Sequence, residues 1–225
     1  MRKIAPLLLF LSLVSCTSVK KHNDQLEILI APEKLKKDVD FAHRKLQQLH
    51  PNLYWYISKE KLDFKFDSLK TTLNQPLKPN DFYQKLAPLI SDVKEGHLRL
   101  VPRSKRLTKA EIKNLKKQKG LLSRYNFVLD GDRIFVKDNT DKIPNMEVGT
   151  EILSIRDIPI KDLLSKYRPF VNSDGDNETF QKYILALRWP SYFTAEYGIL
   201  DSVKVETKYQ NEFKSFYLQR EKITI

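Results

Sequence analysis

Val93-Lys94-Glu95-Gly96-His97-Leu98-Arg99-Leu100-Val101 divides the sequence into two textures. Before it, apolar residues recur every three or four positions, the period of amphipathic helices; after it, short alternating runs bounded by turn residues predict strands. Inside the stretch, Gly96 has the place of a helix C-terminus, where positive φ is wanted, and His97 to Val101 alternates like a half-buried strand. The fold class that follows is α+β, with a small helical N-terminal domain and a β domain carrying helical additions. A histidine at such a junction can act as a general base, although by local pattern alone a histidine beside a glycine turn is more often structural.

Towards the N-terminus, Leu35, Val39, Ala42, Leu46 and Leu49 line one face of a helix that starts after Pro32 and stops at Pro51. His43 and His50 lie on it about 10 Å apart, too far to share a metal, and read as surface or helix-end residues. Pro51 to Tyr56 is an aromatic-rich turn, read as core packing, with the wall of a substrate groove as the functional alternative. A second helix follows a Ser58 cap and carries Leu62, Phe66, Leu69 and Leu73. The third opens at Asn80 with Phe82, Leu86, Ile90 and Val93, and Pro88 is predicted to kink it. Residues 34–103 make up this helical domain.

Towards the C-terminus, residues 104–120 form a basic connector helix. Thr108 and Glu111 give it a capping box, and Ile112 and Leu115 are its only apolar anchors. Asp130-Gly131 marks a hairpin between Tyr125–Leu129 and Arg133–Lys137. Val148 to Leu163 predicts a strand, a tight turn and a helix start. A helix is predicted over Asp174 to Arg188, broken by Trp189-Pro190, before a last hairpin of Ser202–Tyr209 and Phe213–Leu218 around Gln210-Asn211.

The first residues are different in kind. Arg2 and Lys3 precede an apolar run from Ile4 to Val14, and Leu13-Val14-Ser15-Cys16 resembles the lipobox of bacterial lipoproteins. That resemblance implies a signal peptide over residues 1–15, lipidation of Cys16 and a tether over residues 16–33. It places the protein in the bacterial cell envelope, anchored to a membrane, with the outer membrane expected. Cys16 is the single cysteine, so no disulfide is available.

A formal charge of +12 and a mean hydropathy of −0.48 describe a polar, basic chain. The lysines are spread over helix faces and no nucleic-acid-binding signature occurs, so a solvated surface is expected and no nucleic-acid partner. The six glycines are too scattered to write a phosphate loop, a dinucleotide fingerprint or a nucleophile elbow. There is no His-Glu-x-x-His run and no acidic calcium loop; neither a cofactor nor a metal is expected.

The order of features resembles the N-terminal half of a C-terminal-processing (tail-specific, tricorn-core-like) serine peptidase. The residues that carry the resemblance are Leu49-His50-Pro51-Asn52-Leu53-Tyr54, Phe82 to Ile90, Glu95-Gly96-His97, Gly149 to Ile155 with Ile158-Pro159-Ile160, and Tyr197 to Val203. It implies that His97 is the general base, that residues 121–170 form a PDZ-like domain, and that residues 171–225 lead towards an α/β peptidase core bearing the nucleophilic serine, which is absent from this chain. Ser191 has no glycine to expose it, and Ser154 lies in the PDZ-like strand as a structural residue. The expectation is therefore a peptidase relative that is inactive alone, with peptides or protein C-termini and a separately encoded peptidase half as partners. The alternative is a peptide-binding module that works by strand addition without cleavage.

Overall fold

The structure is a computed structural model that describes residues 18–139 and 141–222. The signal peptide and Cys16 lie outside the described residues. None of the described helices is long and apolar enough to cross a membrane. The architecture is α+β, with seven helices and an open antiparallel sheet among the described residues.

Four helices come first: α1 (Val19–Asp24), α2 (Pro32–Leu49), α3 (Lys59–Thr72) and α4 (Pro79–Ser91). Pro32 and Pro79 occupy first helical positions, where a missing N–H costs nothing, and the Ser58 hydroxyl accepts the Lys61 N–H to cap α3. Leu35, Val39 and Leu46 of α2 close on Leu62 and Phe66 of α3 and on Leu86, Leu89 and Ile90 of α4 to form one core. Leu49, assigned to that face by its spacing, is instead exposed at the end of α2.

The described part of residues 16–33 is folded onto the body. Asn23 exchanges two hydrogen bonds with Arg106, its Nδ2 donating to the carbonyl at 2.9 Å and its Oδ1 accepting the N–H at 2.8 Å. Leu26 is buried, and Ile30 and Leu77 pair through their backbones. An asparagine side chain presents the same donor and acceptor as a peptide group, so one residue can stitch a polar segment down.

The basic connector shrinks to α5 (Lys109–Leu115), whose Thr108–Glu111 capping box is present. A small ribbon pairs β1 (Gln118–Lys119) with β8 (Glu221–Lys222). The main sheet contains β2 (Asn126–Asp130), β3 (Arg133–Asp138), β4 (Glu151–Ile155), β6 (Ser202–Tyr209) and β7 (Glu212–Gln219), in the order β2-β3-β4-β6-β7. All neighbours are antiparallel, and β5 (Ile158–Pro159) also pairs with β4. The two-residue turns close as type I′ at Arg156-Asp157 and Gln210-Asn211, where φ is positive at both residues, +57° and +62°, then +48° and +67°.

Between β5 and β6 run α6 (Ile160–Tyr167), a 3-10 turn at Arg168–Phe170 and α7 (Glu178–Tyr197). α7 corrects the sequence reading at both ends. It starts four residues later than Asp174, at an Asn177 cap that accepts the Phe180 N–H, and it passes through Trp189-Pro190 unbroken. A proline inside a helix costs about 3 kcal/mol or more. Here Trp189 and Phe193 are buried on either side of it, and burying side chains of that size contributes about 1.5–3 kcal/mol each, enough to offset the proline. Trp189 sits edge-on to Phe127 at 5.0 Å in the second core, with Ile134, Val136, Ile152, Leu164 and Val205.

The two cores meet through aromatic rings. Tyr83 of α4 lies 5.6 Å from Phe170, which in turn lies 5.8 Å from Tyr192 of α7. Burial pushes the Tyr83 and Tyr125 hydroxyls up to about 12. Tyr167 is also raised, first by burial and then by Glu196, whose Oε2 accepts its hydroxyl at 2.9 Å. A tyrosine whose folded pKa lies above the ordinary value of 10.0 stabilises the fold fully below that pH and loses its contribution as pH rises through the folded value. Alkaline unfolding is therefore expected to set in between pH about 10 and about 12, with the buried tyrosines ionising together with loss of structure. Tyrosinate absorbance and circular dichroism recorded on the same titration check this, and gradual ionisation without loss of structure would refute it.

Candidate functional site

After α4 ends, the chain turns at Lys94, whose φ is +55°, and then reaches Gly96 and His97. The left-handed residue expected at Gly96 is thus Lys94. Gly96 is needed for close approach instead. Asp174 Oδ1 accepts the Gly96 N–H at 2.7 Å, and a Cβ on Gly96 would stand 3.1 Å from that oxygen. The expected strand over His97 to Val101 is also corrected, since these residues are irregular. The Leu98 carbonyl, with those of Glu95 and Gly96 just before the segment, is addressed by a side chain from the other half of the molecule, and no described strand lies beside these residues.

That side chain is Asn172, which is 3% exposed. Its Nδ2, with two hydrogens, lies within hydrogen-bond distance of three carbonyls, those of Glu95 and Gly96 at 3.1 Å each and that of Leu98, so one hydrogen is shared. The Gly175 N–H donates to the Lys94 carbonyl at 3.0 Å, and Lys94 Nζ pairs with Asp176. Ser173 is fully buried, donates to the Gly175 carbonyl at 2.9 Å, and accepts from Gln181 Nε2 at 2.8 Å. The loop before α7 is therefore tied both to α7 and to the loop that carries His97. This clasp explains why α7 begins at Glu178: residues 172–176 are engaged with residues 94–98 and are not free to extend the helix.

The His97 ring itself is exposed and makes no hydrogen bond among the described residues. Its backbone N–H donates to Glu95 Oε1 at 3.4 Å, while Glu95 Oε2 lies 3.9 Å from His50 Nε2. His50 is mostly buried, and its Nδ1 has no hydrogen-bond partner. His43 is also not a free surface residue: it stacks on Phe66 at 4.2 Å and pairs with Asp63 at 2.9 Å. Among the described residues no cluster of His, Cys, Asp and Glu is arranged to hold a metal ion.

Neither serine singled out in the sequence is joined to His97. Ser154 is buried between β4 and β6, where its hydroxyl donates to Glu206 Oε2 at 2.8 Å. Ser191 is exposed on the interior turns of α7 and borders a cleft of ≈ 950 Å³ between residues 26–27, 78–81, 103–107, 115–123 and 190–200. No histidine lines that cleft. The aromatic turn is not core packing: Tyr54, Trp55 and Tyr56 are all exposed, Trp55 by 70%. The Tyr56 ring packs against Gly175, where an added Cβ would meet it at 3.1 Å. Exposed rings thus flank the clasp, and Phe180 and Tyr183 continue the apolar surface along the first turns of α7.

No family model and no curated protein matches the sequence. Solved structures do match. Mature CPAF, a chlamydial serine protease of the tail-specific, C-terminal-processing type, is 14% identical, with a TM-score of 0.51 over 86% of this chain and 35% of that one. A serine-to-alanine mutant of CPAF gives a TM-score of 0.52 at 14% identity, covering 86% and 34% of the two chains. CPAF complexed with lactacystin gives 0.51 at 14%, covering 86% and 35%. The likeness is one of fold, and the chain spans about a third of the length of these proteins.

Replacing a buried amide that serves three carbonyls leaves acceptors without donors, at a cost of roughly 1–3 kcal/mol. Asn172→Ala is expected to lower stability by about that amount and to speed hydrogen exchange selectively over residues 94–98. Uniformly faster exchange across both cores would contradict the clasp.

Proposed function

We propose that these residues form the substrate-holding, base-supplying part of a serine peptidase of the C-terminal-processing type, with His97 as the general base. The observation that supports this reading is the His97 loop: an exposed imidazole on a backbone clamped by a buried asparagine from the other half of the molecule, in a chain whose fold follows about a third of mature CPAF. A serine hydroxyl becomes a competent nucleophile when an imidazole accepts its proton as the bond to the carbonyl forms. That step requires the imidazole to be held within hydrogen-bond reach of the serine, which a clamped loop provides. The nucleophile and the oxyanion-hole donors come from an α/β peptidase core outside the 225 residues, and a separately encoded half is the partner proposed to carry them. Residues 121–170 are the PDZ-like part, which takes extended peptides or protein C-termini. The chain alone has no hydrolytic activity in this reading, and lipidation at Cys16 holds it in the cell envelope.

Three outcomes test it. The purified chain is expected to leave a peptide library uncut and to remain unlabelled by a fluorophosphonate; labelling would place an activated serine within these residues and overturn the division of labour. An unfolded polypeptide with a free C-terminus is expected to shift the imidazole C2–H resonance of His97 on titration. A resonance unmoved at saturating peptide would remove His97 from the substrate path. Cys16→Ala is expected to move the protein from the membrane to the soluble fraction, and an unchanged distribution would refute the anchor.

A further inference from the structure

We propose that β7 is a self-association edge, along which two copies of the chain join antiparallel about a two-fold axis at Ser215. β7 is the end of the sheet order, and among the described residues β6 is its only strand neighbour. Its eight residues contain no proline and no bulge, two of the devices that protect an edge, and its only charges are Glu212 and Lys214. Phe213 and Tyr217 lie on the sheet face away from the core and are 70% and 65% exposed.

The hairpin geometry says which backbone groups are free. In a two-residue type I′ turn the flanking residues, here Tyr209 and Glu212, form a hydrogen-bonded pair. By alternation Lys214, Phe216 and Leu218 also direct their N–H and C=O towards β6, so Phe213, Ser215 and Tyr217 direct theirs to the open edge. Two neighbouring bonds agree with this parity. The Gln219 carbonyl, on the outward side, accepts from Arg124, and the Arg220 N–H, on the inward side, donates to the Asp201 carbonyl.

Antiparallel pairing of two β7 strands centred on Ser215 sets Phe213 opposite Tyr217 of the second copy, and Ser215 opposite itself. All three positions belong to the outward set, so each pair exchanges both N–H···O=C bonds. The same register places the two most exposed aromatic side chains of the strand across from one another on one face, the arrangement that favours cross-strand aromatic contact. Charge does not oppose it. Glu212 and Lys214 offset each other within β7, 3.8 Å apart, so the strand is neutral in a chain of net charge +12. In this register Lys214 faces Phe216 and Glu212 faces Leu218, with no like charges opposite. A second copy is thus the occupant that satisfies backbone and side chains together.

The register can be tested by cross-linking. Hydrogen-bonded partners have Cα atoms about 5.5 Å apart, with side chains wider apart than at non-hydrogen-bonded pairs, a gap that suits a short bis-maleimide better than a disulfide. In a Cys16→Ala background, which removes the single native thiol, Ser215→Cys is expected to give a covalent dimer with a short bis-maleimide. The yield should be several-fold above that of Val128→Cys on β2, the strand at the opposite edge. Adding Tyr217→Pro, which removes an outward N–H and leaves the bonds to β6 in place, should abolish the linked dimer while a thermal melt shows the fold retained. Equal yields from both thiols, a dimer that survives Tyr217→Pro, or linkage of Ser215→Cys only to a different polypeptide would each overturn the proposal.

Discussion

The contact on which the rest of the molecule depends is the one between the Asn172 amide and the carbonyls of Glu95, Gly96 and Leu98. Each half has its own hydrophobic core, so each could close without the other. Their relation is held by polar bonds made by residues 172–176 and by aromatic contacts that include Tyr83 on Phe170 and the Tyr56 ring on Gly175. Because Asn172 is buried, its donors have no water to fall back on, and the bonds hold the loop in one arrangement. Ordering five residues of irregular backbone costs about 1–2 kcal/mol per residue. The clasp offsets that cost where a helix or strand would have done so elsewhere.

What the sequence made legible was the structure that depends on near neighbours. The Ser58 cap, the Thr108–Glu111 box, the buried stripe of α2 and the hairpins at Asp130-Gly131 and Gln210-Asn211 all rest on residues within a few positions of each other. The misreadings fall where a distant residue decides. Pro190 reads as a break until Trp189 and Phe193 are seen to be buried around it. Asp174 reads as a helix start until its carboxylate is found on Gly96, 78 positions away. Asn23 reads as linker until it is found on Arg106. No local pattern marks these pairs, since asparagine and aspartate in loops are common whether or not a remote backbone awaits them.

The candidate site divides in the same way. Gly96-His97 drew attention as a junction, and the structure keeps the attention while changing the reason: the glycine admits Asp174 where a left-handed cap was expected. Asn172 and Asp174 had no signal at all. The exposed rings of Tyr54, Trp55 and Tyr56 ran against their composition, because aromatic content predicts burial on average and gives no warning when a turn presents its rings outward.

In the proposed role His97 would need a fixed position and a fixed tautomer, and these residues supply only the first. In a serine–histidine pair a third group accepts from the far ring nitrogen and so decides which nitrogen faces the hydroxyl. Glu95 is the carboxylate nearest in sequence, yet one of its oxygens takes the His97 backbone N–H and the other faces His50. Neither oxygen is bonded to the His97 ring, so among the described residues no carboxylate orients that imidazole. The clamp therefore fixes the Cα of residue 97 and leaves the side-chain torsions free. That division is physically economical: backbone order is the larger entropic cost and is met within this half, whereas the smaller cost of one imidazole rotamer can be met by whatever brings the hydroxyl and the orienting acceptor. His43 shows the contrasting arrangement, its ring stacked on Phe66 and paired with Asp63.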